Sequence, residues 1–106
     1  MGRTRVNAPG QALAAERMVV AEPPAGWVRM EVRASGVCHA DIGTAAARGR
    51  DVTFPVTPGH EIAGTIAALG EETSGWRLGD RAAVGWFGGS CGTCAFCRRG
   101  DVVHRA

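Results

Sequence analysis

A chain of 106 residues is the size of one domain, and its twelve basic residues, all arginine, against ten carboxylates give a formal charge of +2, too small to argue for nucleic acid or a membrane surface. The arginines are scattered (Arg3, Arg17, Arg33, Arg50, Arg81) and only Arg98 and Arg99 are adjacent, so no basic stripe forms. No apolar stretch approaches the ~20 residues of a membrane span, and MGRTRVNAPGQALAA lacks the apolar run of a signal peptide, so a cytoplasmic, thiol-reducing location is expected.

Apolar residues make up 45% of the chain, but 16 glycines and 5 prolines divide them into short runs, which predicts a turn-rich β fold. Residues 1–16 are poorly patterned, with a strand expected near Val6. Trp27 to Arg33 is expected to be a strand, since apolar and polar residues alternate strictly from Val28 on, the pattern of one buried and one wet face. The turn Pro23-Pro24-Ala25-Gly26 precedes it and Ser35-Gly36 ends it. A short helix is expected from Cys38 to Ala47, ended by Gly49. The loop Phe54-Pro55-Val56-Thr57-Pro58-Gly59 delivers His60-Glu61 to a second strand, Ile62 to Gly70, in which Gly64 marks a bulge or a close backbone approach. Leu78-Gly79-Asp80-Arg81 turns into a third strand, Ala82 to Trp86. Short strands joined by Gly/Pro turns suggest a small, partly open barrel. No G-x-G-x-x-G is present, and nothing resembles a β-α-β nucleotide unit.

Cys91, Cys94 and Cys97 in CGTCAFC place three soft thiolates in one turn, the chemistry of a metal site. A bacterial iron–sulfur run would continue with three residues and then Cys-Pro, where this chain has Asp101 and Val102. A disulfide framework is disfavoured by four cysteines of which three share one turn and Cys38 stands apart. Zinc held by three cysteines, with or without His104, and unmetallated thiols are the readings left. Cys38 and His60 form a second thiolate and imidazole pair. On residue type alone a packed cysteine and a solvated histidine explain it as well, though Asp41 and Glu61 add carboxylates of the kind that orient a metal-ligating histidine.

The order GVCHAD at 36–41, PGHEIAGTI at 58–66, GDRAAVGW at 79–86 and CGTCAFCRRGD at 91–101 resembles the zinc-dependent alcohol dehydrogenases of the medium-chain dehydrogenase/reductase family. The resemblance runs from about Trp27 to the end of the chain. It implies a mainly β fold over residues 1–106: a GroES-like, partly open β-barrel with short helices and a cysteine-rich zinc lobe at 86–106, the catalytic domain without its Rossmann cofactor domain. It implies that Cys38 and His60 ligate a catalytic zinc, that Asp41 supports His60, that Glu61 assists ligand exchange, and that His39 lies near the pyrophosphate of NAD or NADP. Cys91, Cys94 and Cys97 would hold a structural zinc, with His104 in place of a lost fourth cysteine. The implied chemistry is alcohol/aldehyde interconversion, in which zinc lowers the pKa of a small alcohol and the cofactor carries the hydride. Oligomeric assembly is compatible with it; nucleic acid and membrane partners are not expected.

The departures concern single positions. Ala40 stands where the family has a proton-relaying serine or threonine, Gly43 where many members have a histidine, and Arg105 where the fourth structural cysteine is due. The family's second catalytic-zinc cysteine falls beyond residue 106. The 106 residues alone are therefore expected to be inactive, and a non-catalytic zinc-binding module or a truncated remnant is the alternative.

Overall fold

The computed structural model describes residues 2–48 and 51–101. Its elements are β1 (Gly2–Arg5), β2 (Ala14–Arg17), β3 (Val28–Ser35), α1 (His39–Ala45), β4 (Ile62–Leu69), β5 (Arg81–Val84) and α2 (Ala95–Arg98). β1 and β2 form a two-stranded antiparallel ribbon, and β3, β4 and β5 a three-stranded antiparallel sheet in that order. Among the described residues the sheets do not close into a full barrel.

The N-terminal segment is more ordered than its pattern suggests. β1 ends before Val6, which instead makes an isolated bridge with Val56, each amide donating to the other's carbonyl at 2.8 and 3.0 Å. β2 was not anticipated at all. Gly-Arg-Thr-Arg and Ala-Ala-Glu-Arg have no apolar alternation to signal a strand; their pairing rests on backbone hydrogen bonds and on Arg3 and Arg5 reaching Glu16 across the ribbon.

β3 starts one residue later than expected and runs two further, because the Trp27 amide donates to the Pro24 carbonyl in the preceding turn. The strict alternation of buried and wet faces is not realised. Val28 and Met30 are half-buried, but Val32 is 54% exposed with the rest of the strand's end. The register slips between Val32, opposite Gly64, and Ala34, opposite Ala63, so Arg33 is bulged and the two-residue period is interrupted. β3 is also an edge strand. Gly64 fulfils the close approach read from the sequence: a Cβ there would overlap the Glu31 carbonyl oxygen and lie 2.9 Å from its carbonyl carbon.

β4 ends at Leu69 and β5 occupies Arg81–Val84, one residue earlier than expected at its start and two at its end. α1 is shorter than expected: Cys38 is its N-cap, Ala46 its C-cap, and Ala47 at φ +54° turns the chain away. The expected terminator Gly49 lies outside the described residues. The short α2 inside the cysteine turn was not foreseen, since four residues carry no helical period.

Among the described residues Val6 and Ile66 are the buried hydrophobic side chains. Trp27, Val32, Val37, Leu78, Trp86 and Phe87 remain 45–85% exposed. An apolar surface of this extent is normally covered by further protein. No helix among the described residues is long and apolar enough to cross a membrane.

Candidate metal centres

The antiparallel pairing of β3 with β4 builds the first centre. Ser35 pairs with Ile62, and beyond that pair the Gly36 amide donates to the Glu61 carbonyl at 2.8 Å. Cys38, three residues past the end of β3, is thereby brought beside His60 and Glu61, just ahead of β4. One ligand atom from each of Cys38, His60 and Glu61 lies within 4.8 Å of the other two. A separation of 21 residues in sequence is closed by one hairpin register.

Asp41 ties this centre to α1. Its Oδ2 accepts the Cys38 backbone amide at 2.9 Å, capping the helix start, where a carboxylate is favoured by the exposed amides. Its Oδ1 lies 3.2 Å from His60 Nδ1. With Nδ1 engaged, Nε2 is the nitrogen left to a metal. Both side chains are largely buried. The other side of the imidazole meets Trp86 edge-on, ring centroids 4.6 Å apart at 79°. Asp41, Thr44, Thr57, Pro58, His60 and Trp86 line a cavity of about 230 Å³. A larger open cavity of about 620 Å³, walled by Trp27, Met30, Ile66, Trp76 and Val84, contains no cysteine or histidine.

Trp86 is a member of the site that the sequence did not reveal. It lies two residues past the end of β5 and stands against His60. Thr44 was likewise unassigned; its hydroxyl donates to the Ala40 carbonyl at 3.0 Å, a bond that satisfies it within α1. His39 is the exposed first residue of α1.

The second centre is the cysteine turn. The ligand atoms of Cys91, Cys94 and Cys97 also lie within 4.8 Å of one another, and all four cysteines of the chain are free. The Cys94 amide donates to Cys91 Sγ at 3.3 Å, and the Cys97 amide to Cys94 Sγ at 3.4 Å, so the first turn of α2 aims its donors at sulfur. His104 and Arg105, read as substitute ligand and lost ligand, lie outside the described residues.

These donors set the order of thiol acidity. The Cys91 thiol is pushed down to about 6, chiefly by the Cys94 amide and then by that of Thr93, whereas the hydrogen bond to the Cys94 side chain raises Cys97. In the metal-free protein Cys91 should be alkylated by iodoacetamide well ahead of Cys97 at pH 7, with a rate that falls only as pH drops through about 6. A depressed folded pKa stabilises the fold above the unfolded value of 9.0 and loses that contribution as pH falls through about 6, so the turn loosens on the acid side. Mass-spectrometric peptide mapping against pH checks the order of reactivity, which equal rates at Cys91 and Cys97 would contradict, and melts of the metal-free protein against pH check the loss of stability.

The family described as alcohol dehydrogenase GroES-like domain matches residues 24–105. This chain belongs to that family. D-altritol 5-dehydrogenase of Agrobacterium fabrum is 46% identical over 91 residues, covering 86% of this chain and 26% of that protein. NADP-dependent alcohol dehydrogenase C of Mycobacterium tuberculosis is 45% identical over 73 residues, 69% of this chain and 21% of that protein. The crystal structure of AibC superposes with a TM-score of 0.91 at 35% identity, over 100% of this chain and 30% of its own. The chain thus spans about a quarter of the length of these curated relatives. The GroES-like, mainly β architecture with its cysteine cluster agrees with the expectation from the sequence.

Proposed function

We propose that this chain carries the zinc-binding catalytic portion of an alcohol dehydrogenase, which interconverts a small alcohol and its aldehyde or ketone with NAD or NADP. The observation that carries this reading is the convergence of Cys38, His60 and Glu61 with Asp41 on the far nitrogen of the imidazole. A thiolate, an imidazole and a carboxylate within one ion's reach are the donor set zinc accepts. Bound there, zinc supplies a Lewis acid that acidifies an alcohol hydroxyl. The chain's own residues hold and orient: the Cys38 thiolate and His60 Nε2 would hold the ion, Asp41 fixes the tautomer, and Trp86 walls the imidazole. Ala40 offers no hydroxyl to relay the released proton. His39, exposed at the start of α1, is assigned to the cofactor's pyrophosphate. Cys91, Cys94 and Cys97, completed by His104, are assigned to a structural zinc. The free cysteines favour a cytoplasmic setting.

Metal analysis of the purified protein tests the assignment. Two zinc ions per chain are expected, one lost in His60→Ala and the other in Cys94→Ser. Full zinc content in His60→Ala would remove the catalytic centre from this reading. A further expectation concerns the 106-residue chain on its own. Every strand pairing among the described residues is antiparallel, so they build no parallel β-α-β unit to hold the dinucleotide. Zinc-loaded chain should show no turnover of primary or secondary alcohols with either nucleotide. Steady turnover abolished by Cys38→Ala would overturn this.

A further inference from the structure

The structure assigns to Gly36 a positioning role at the first metal centre, an inference that rests on the reading of Cys38, His60 and Glu61 as metal ligands. Gly36 lies outside every element, between the end of β3 and the N-cap of α1, and its amide is bound to the Glu61 backbone carbonyl at 2.8 Å. Beside that bond the Glu61 side chain occupies the space that a side chain on Gly36 would take. A Cβ on Gly36 would overlap one carboxylate oxygen of Glu61 and lie 3.1 Å from its Cβ and 3.3 Å from its Cδ. No other residue supplies any of the three nearest atoms.

Gly36 does not occupy the positive-φ region, so alanine is compatible with its backbone conformation. The requirement for glycine is thus not one of chain geometry. It comes from one side chain, and that side chain is the carboxylate of the centre. Glu61 is exposed and flexible enough to rotate away from a new methyl group, which relieves the overlap at little cost to the fold. The rotation withdraws the carboxylate from Cys38 and His60. The bare backbone at Gly36 is the slot that holds Glu61 at the metal.

The test is a cobalt titration of the protein and four variants, Gly36→Ala, Glu61→Ala, the double variant and His60→Ala, with thermal melts alongside. Binding is read from the paramagnetically shifted ring signal of His60, which excludes ions in the cysteine turn and which His60→Ala identifies. Glu61→Ala should weaken cobalt at this centre by about tenfold or more. Gly36→Ala should weaken it to the same degree while its melt stays near wild type. The double variant should be no weaker than Glu61→Ala, because the two changes remove one interaction. If Glu61→Ala weakens binding and Gly36→Ala does not, or if the two losses multiply, the role of Gly36 is overturned and the metal centre stands. If Glu61→Ala is without effect, Gly36 has nothing to position and the inference falls. If no cobalt-shifted signal appears, or if it persists in His60→Ala, the centre itself is wrong and the inference falls with it. Should Gly36→Ala fail to fold, the double variant decides. Recovery of folding there shows that Glu61 is the obstacle, as proposed, and continued failure shows that Gly36 serves the backbone alone.

Discussion

Gly64→Ala should lower the melting temperature by more than ten degrees. The new Cβ would meet the Glu31 carbonyl, a backbone group that cannot rotate aside, and would also lie 3.1 Å from the Val32 Cα. Relief requires β3 and β4 to separate at the point where the Arg33 bulge already interrupts their register. Overpacking of this kind costs about 3 kcal/mol. For a chain of this size each kcal/mol shifts the midpoint by roughly 4–8 °C. Few other contacts offset the loss, since Val6 and Ile66 alone among the described hydrophobics are buried and β3–β4 is the longer of the two pairings in the larger sheet. Gly43→Ala is the matching control. It lies within α1 with nothing within 4 Å of its would-be Cβ, so the helix should gain about 1 kcal/mol. Thermal melts followed by circular dichroism compare the two, and a Gly64→Ala midpoint within a few degrees of wild type would show that β3 and β4 can separate at little cost.

Gly64 also shows which parts of the fold were legible. A glycine inside an otherwise β-branched and apolar run has a restricted set of causes, so a close approach is legible in the sequence. β4 was legible because it is bounded by Pro58-Gly59 and Gly70, and β3 because Val28 to Arg33 alternates. The wet and dry faces of β3 were not legible. Alternation says which residues share a face but not whether anything covers that face, and the bulge that breaks the period is specified by the partner strand. β2 escaped because its pairing is made by arginine and glutamate, residues that signal surface more often than strand. The centre at Cys38 and His60 could be located only through the order of four motifs. Spacing alone does not say that Ser35 pairs with Ile62, and that pairing is what brings residue 38 to residue 60. Trp86 was not legible as a site residue, because it meets His60 from two residues past the end of β5, a contact between segments distant in sequence.

Asp41 is where the fold and the site depend on the same atoms, and substitutions there should separate the two. One carboxylate oxygen caps α1 through the Cys38 amide and the other meets His60 Nδ1. Asp41→Ala removes both contacts. It should cost about 1 kcal/mol of stability through the lost cap and weaken zinc at Cys38/His60 by about 10–100-fold. Asp41→Asn should behave differently. Its amide oxygen can still accept from Cys38, which keeps the cap and the melt near wild type. Its NH₂ then faces Nδ1, where it can only donate, so Nδ1 becomes the acceptor and the imidazole proton moves to Nε2. A protonated Nε2 has no lone pair for a metal, and zinc must displace that proton before it binds. The asparagine variant should therefore be as stable as the native protein yet bind zinc nearly as poorly as the alanine variant, with the deficit confined to the site that His60→Ala abolishes. Competition against a chromophoric chelator, run beside thermal melts of the metal-free proteins, measures both quantities. Native zinc affinity in Asp41→Asn would mean that the carboxylate acts on the helix alone and that the orientation of His60 is set by Trp86.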